Sequence, residues 1–165
     1  MTQTPPQEQD SDLLETRHRA FVERIVEFGK VWFLESDEGV AISASNDYEE
    51  LEVIPFWSDK VHAKAAAREE WAAYEPKSVD LRLFLEFHII KTSNEEILIG
   101  TNWNQNMFGR EIHPLELALE IIELLKDKDQ PLVFKHHANL TAYEKVTVEA
   151  FEAMMAAMAE DETAV

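Results

Sequence analysis

No cysteine occurs in the 165 residues, which removes disulfides, thiolate metal ligands and cysteine nucleophiles together. Glycine is scarce as well: the four that occur are scattered, so no phosphate-cradling glycine-rich loop can be assembled. Basic residues are few, 15 against 33 acidic ones, for a formal charge of -18. A polyanion would meet a repulsive field, which sets aside nucleic acid and anionic membrane as direct partners. No apolar run approaches the ~20 residues of a membrane-spanning helix. The start "MTQTPPQEQDSD" has neither a basic nor an apolar signal region. These absences, with the missing thiols, place the expected protein in the cytoplasm, without a cofactor or a metal.

What is present suits one folded domain. A 45% hydrophobic and 10% aromatic content is that of a globular core, and the length fits a single such core. The acidic excess is uneven: residues 1–55 carry 13 acids and 4 bases, 56–113 carry 9 and 7, and 114–165 carry 11 and 4. Residues 1–11 are polar with paired prolines and are expected to form a disordered tail. Residues 12–127 are expected to form the domain, and 128–165 an extension whose terminal helix packs on the domain or on a partner.

Along the chain, a cap at Ser11 or Asp12 precedes Leu14, His18, Phe21, Ile25 and Phe28, one helical face that Gly29 terminates. Val31–Glu35 and Val40–Ser43 flank "SDEG" as a β-hairpin. "LEVIPFW" predicts a third strand whose pairing stops at Pro55, because proline offers no amide donor. Ser58 then reads as the cap of a second helix through "KVHAKAAAREEWAAY", which "EPK" breaks. Residues 79–90 suit either strand or helix; Asp80 as a cap and few β-branched residues favour helix. "EILIGTNW" predicts a strand and "NQNMFGRE" a loop. Pro114 opens a helix with Leu115, Ala118, Leu119, Ile122 and Leu125 on one stripe. "LVF" is expected as a short strand, and Thr141 with Glu144 as the capping box of a terminal helix whose end, "EDETAV", frays. The order predicts an α+β fold: a small, predominantly antiparallel sheet of four or more strands packed with about four to five helices.

The ordered segments "EFGKVWFLESDEGVAI", "PFWSDKVHAKAAA" with "EEWAAYEPKSV", and "GTNWN" before a Gly-containing loop resemble the bacterial family known as domain of unknown function 2750, over roughly residues 17–125. More distantly, the strand, Pro-x-Phe corner and capped helix are similar to the N-terminal domain of enhanced-serine-sensitivity proteins of the SseB type. Both resemblances imply a fold and no catalytic residue.

Candidate chemistry is sparse. None of the six histidines has a helical i, i+4 ligand companion: His62 stands alone, His136 and His137 are adjacent, His88 lies on an apolar face and His113 belongs to a turn. No serine sits in a nucleophile elbow, and the carboxylate pairs at 49/50, 69/70 and 95/96 suit solvated surface. Two groupings suit recognition instead. Asn102, Asn104 and Asn106 share one face if the strand continues through them, flanked by Trp103 and Phe108 with Met107 beside them, an amide and aromatic grouping of the kind interfaces use. In the terminal helix Met154, Met155 and Met158 follow Phe151 as a soft apolar stripe, either core or docking surface. The expected function is a non-enzymatic, acidic protein-interaction domain of adaptor, regulatory or immunity type. A basic protein is the expected partner, and self-association through the terminal helix an alternative. A small-ligand or enzymatic cleft beside the sheet, lined by Trp57, Trp103, His62 or His113, is the competing reading.

Overall fold

The computed structural model describes residues 6–163. Helix α1 (Pro6–Phe28) starts earlier than the cap at Ser11 or Asp12 predicts, with Pro6 at the position where a missing amide costs nothing. Residues 1–5 of the expected tail lie outside the described residues. His18, Phe21 and Ile25 are buried as the spacing requires, joined by Val22 and Val26, whereas Phe28 is exposed under the Arg24 guanidinium. Gly29, at φ 69°, ends the helix in the left-handed conformation that favours glycine.

Strand β1 (Lys30–Ser36) turns at Gly39 into β2 (Gly39–Val40), a hairpin whose second arm is shorter than the predicted Val40–Ser43 because Ser43 enters the other sheet. The other neighbour of β1 is β5 (Glu75–Asp80), antiparallel with Lys30 opposite Asp80. A second sheet runs in the order β3 (Ser43–Ala44), β4 (Glu52–Phe56), β6 (Leu98–Thr101), β7 (Arg110–Ile112), with β4 and β6 parallel. Reciprocal backbone bonds of 2.8 Å between Trp32 and Trp57 join the two sheets. The pairing does not stop at Pro55, which stands opposite Gly100 within the β4–β6 register. Strand amides alternate in direction, and Pro55 points to the side where β3 pairs at Val53 and β1 at Trp57. Its missing donor falls between those two partners.

Helix α2 is shorter than expected (Lys60–Ala66), and Ser58 does not cap it: the first-turn neighbour Asp59 takes the N-cap position. A 3₁₀ turn (Glu69–Trp71) then swings Trp71 inward, residues 72–74 leave the expected helix as a turn, and the chain enters strand β5 at Glu75. Residues 79–90 resolve toward helix. Leu81–Leu83, a π-helical turn at Phe84–His88 and Ile89–Asn94 run on as one helix, α3, and the Asp80 carboxylate accepts the Leu83 amide at 2.7 Å. Helix α4 (Pro114–Asp127) carries the expected stripe, and α5 (Leu140–Thr163) is the terminal helix. Among the described residues, five helices and mainly antiparallel sheets make the fold α+β.

Alternation along the strands sends side chains to both sheet faces. Phe33, Ile54 and Phe56 join Phe21, Ile25, Phe84 and Ile121 in one core. Leu34, Val53 and Trp57 join Ala63, Ala66, Trp71 and Trp103 in a second core. Full burial of one such large side chain is worth roughly 1.5–3 kcal/mol, so the two cores outweigh every surface contact described below. Among the described residues no helix is long and apolar enough to cross a membrane.

Candidate functional site

Strand β6 ends at Thr101, so the asparagines that follow do not share a strand face. Asn102 adopts φ 48°, its side-chain oxygen accepting the Ser58 amide at 2.9 Å and its amide group reaching the Ser58 hydroxyl at 3.1 Å. Asn104 accepts the amides of Asn106 (2.8 Å) and Phe108 (3.1 Å), and Met107 is held at φ 65°. Both asparagines therefore build the turn. Trp103 is 2% exposed; its indole donates to Arg110 O (3.2 Å), while its own carbonyl accepts the Trp57 indole (2.8 Å). Gly100 and Gly109 cradle the ring, and a Cβ at either would overlap it. Of the expected recognition surface in this loop, Asn106 and Phe108 are exposed. Glu111 ties the adjoining loop down by accepting the Ser45 hydroxyl and the Asn46 amide (2.7 Å).

Trp57 and Trp103, expected to line a cleft beside the sheet, are interior. His62 is exposed, 3.5 Å from Asp59, and His113 caps α4 by accepting the Leu115 amide at 3.1 Å. That acceptor role needs a neutral ring, and burial holds the His113 pKa below its ordinary value. His88 lies among Phe33, Phe56, Phe84 and Phe87; burial first, then the charge of Lys91, lowers its pKa.

The C-terminal extension closes on a polar cluster around Glu86, for which the sequence offers only the Arg82–Glu86 spacing. "LVF" is not a strand but part of a loop that brings three donors onto a buried carboxylate. Glu86, in the π-helical turn, accepts the amides of Lys135 (2.8 Å) and His136 (2.7 Å) and pairs with His137 Nδ1 (2.7 Å) and Arg82 Nη1 (3.4 Å). Burial alone would raise its pKa; the donors outweigh it and hold the carboxyl at about 2. Beside it the Tyr143 hydroxyl donates to Leu85 O at 2.8 Å, with its ring stacked on Phe134 and edge-on to His137. Burial first, with the Glu86 charge adding, pushes the Tyr143 phenol above its ordinary value and keeps it a donor. Through the phenol's bond to Leu85 O the extension reaches the backbone of the π turn itself.

Helix α5 is capped by Asn139, whose side chain accepts the Ala142 amide at 2.9 Å, and not by Thr141; Glu144 turns instead to Lys126 at 3.0 Å. Tyr143 and Thr147 are buried, and Phe151 and Met154 are half-buried. From Met155 to Asp161 every residue is exposed, Met155 by 50% and Met158 by 53%. Of the acidic end expected to fray, residues 160–163 are helical, and 164 and 165 lie outside the described residues. The methionine stripe thus begins at the edge of the core and leaves it.

Two other groupings bear on chemistry. His18 places one ring nitrogen 2.9 Å from the Thr101 hydroxyl and the other 2.8 Å from Glu120, the order of a hydroxyl, imidazole and carboxylate relay. Thr101 is 0% exposed, so its hydroxyl is closed to substrate and the trio serves to join α1, β6 and α4. A shallow cleft of about 350 Å³ lies outside it, rimmed by Arg19, Arg110, Glu23 and Glu123. The other, of about 610 Å³, lies between the β1–β2 hairpin and Tyr74 and is lined mostly by carboxylates. Among the described residues no group of three or more His, Asp or Glu is arranged to hold a metal.

No curated protein and no solved structure matches the chain, so the distant likeness to the SseB type gains no support. A family model described as a protein of unknown function, DUF2750, matches residues 18–121. The match takes in α1 from His18, every strand and most of α4, together with Glu86; the partners of Glu86 at 135–137 and all of α5 lie beyond it. The chain belongs to the DUF2750 family and carries, past the matched region, a clasped extension ending in a half-packed helix.

Proposed function

We propose that the chain is a cytoplasmic protein-interaction domain whose contact element is the distal half of α5. One observation carries this reading: residues 153–159, "AMMAAMA", are apolar on every side of the helix, yet beyond Met154 none is covered by the domain. A helix that is apolar all round is normally a buried one, and methionine side chains adapt to varied partners. The proximal half fixes the direction in which this segment is presented, and the net charge of -18 steers basic partners from a distance. The competing small-ligand reading rests on the cleft beside α1 and α4, where both His18 nitrogens are already engaged.

Site-specific photocrosslinking in living cells tests the reading. A photoreactive residue at 155 or 158 is expected to give adducts of discrete mass, and one at the exposed Thr141 in the clasped half none. Adducts from Thr141 alone, or from no position on α5, contradict it.

A further inference from the structure

The chain holds no cysteine, so its five methionines carry all of its sulfur. Three of the five fall in one stretch of α5, at 154, 155 and 158. Met155 and Met158 are 50% and 53% exposed and, three residues apart, are neighbours on one helical surface, whereas Met154 is half-buried. Met107 is half-buried as well, packed against the second core, and Met1 lies outside the described residues. The residues beside the exposed pair include Ala156, Ala157 and Ala159, whose single methyl groups are too short to shade a thioether.

The surrounding charge selects among oxidants. From 146 to 161 the helix carries Glu149, Glu152, Glu160 and Asp161 and no base. A field of that sign holds anionic oxidants off and leaves neutral ones free to approach.

Resting on the reading of the distal half of α5 as a contact element, we infer that Met155 and Met158 form an oxidation switch on that element, with a neutral peroxide as the oxidant. The sulfur lone pair takes one oxygen of hydrogen peroxide: an S–O bond forms, the O–O bond breaks, and the second oxygen departs as water with both protons. Sulfur loses two electrons and the peroxide gains them. The sulfoxide is polar, and an apolar partner laid over it would leave its oxygen without a hydrogen bond. Oxidation therefore releases the partner, while the fold, which does not rest on these two side chains, persists. Methionine sulfoxide reductases restore the thioether, so the switch is reversible.

The full chain with a photoreactive residue at the exposed Ala159, beside Met155 at i+4, tests this. The chain is treated with graded hydrogen peroxide, freed of it, and crosslinked in cell extract, while peptide mass mapping reads which methionines carry oxygen. Met155 and Met158 are expected to oxidise several-fold faster than Met107 and Met154. Adducts of the untreated chain are expected to disappear in step with that oxidation, to return after reductase treatment, and to survive peroxide in Met155→Leu with Met158→Leu. The urea midpoint should not move. Oxidation spread evenly over the methionines, adducts that persist with sulfoxide at 155 and 158, or leucine-variant adducts lost to peroxide each overturn the inference and leave the contact-element reading standing. A urea midpoint lowered by oxidation at 155 and 158 overturns it too, because those side chains then belong to the core. No adducts from the untreated chain bring down both.

Discussion

The two halves of α5 are one continuous helix in opposite situations. The proximal half has a cap, a buried tyrosine with its hydroxyl bonded, and a neighbouring carboxylate that draws four donors from two segments. The distal half has two exposed methionines, alanines and acids, and every residue from Met155 to Asp161 is exposed. Position in the fold, more than helix propensity, separates them: alanine and methionine are good helix formers, so the distal half keeps its shape while contributing almost nothing to the core. A fixed base with an adaptable end is an economical way to present a docking surface.

Substitutions should fall on opposite sides of this comparison. Glu86→Ala removes the carboxylate and leaves buried donors unpaired; the expected cost is about 3–5 kcal/mol in urea unfolding, the range for breaking a buried charged network. The same group sets a pH dependence. Its folded pKa of about 2 lies below the ordinary 4.5, so its stabilisation is complete above about pH 4.5 and is lost as pH falls toward 2. That contribution is on the order of 3 kcal/mol, and in Glu86→Gln the acid limb should flatten. Tyr143→Phe keeps the stacking on Phe134 but removes the hydrogen bond to the Leu85 carbonyl, with an expected loss of about 0.5–1.5 kcal/mol by the same measurement. Asn139→Ala removes the cap and should cost about 1 kcal/mol. Met155→Gln with Met158→Gln should leave stability within about 0.5 kcal/mol. A large loss there would mean that the distal half is core, and the comparison would collapse.

Local signals carried much of the fold. The α4 stripe, the hairpin at Gly39 and the Asp80 cap are all present where short-range spacing places them. Strand β5 was illegible for a physical reason: "EPKSVD" is an edge strand with mostly exposed side chains, and only its long-range pairing with β1 makes it a strand. The same pairing shortens α2, since Trp71 has to turn back into the second core. Pro55 misled because a missing amide matters only where a partner waits for it.

In the candidate site, the methionine stripe was legible as a stripe, whereas its change from half-buried to exposed depends on where the domain ends. Trp103 reads as an anchor for a partner but anchors its own loop; the glycines three positions before and six after it were the signal that space had been cleared for an indole. Glu86 had a weaker signal, an acid on an otherwise apolar stretch with Arg82 four residues earlier. Its main partners are backbone amides some fifty residues away, which no side-chain pattern reveals.

Amide hydrogen exchange along α5 tests the division of the helix most directly. In the free protein the amides of 144–151 should be protected to nearly the global unfolding free energy and those of 155–161 should exchange far faster. Uniform protection throughout α5 in the free, monomeric protein would contradict the account.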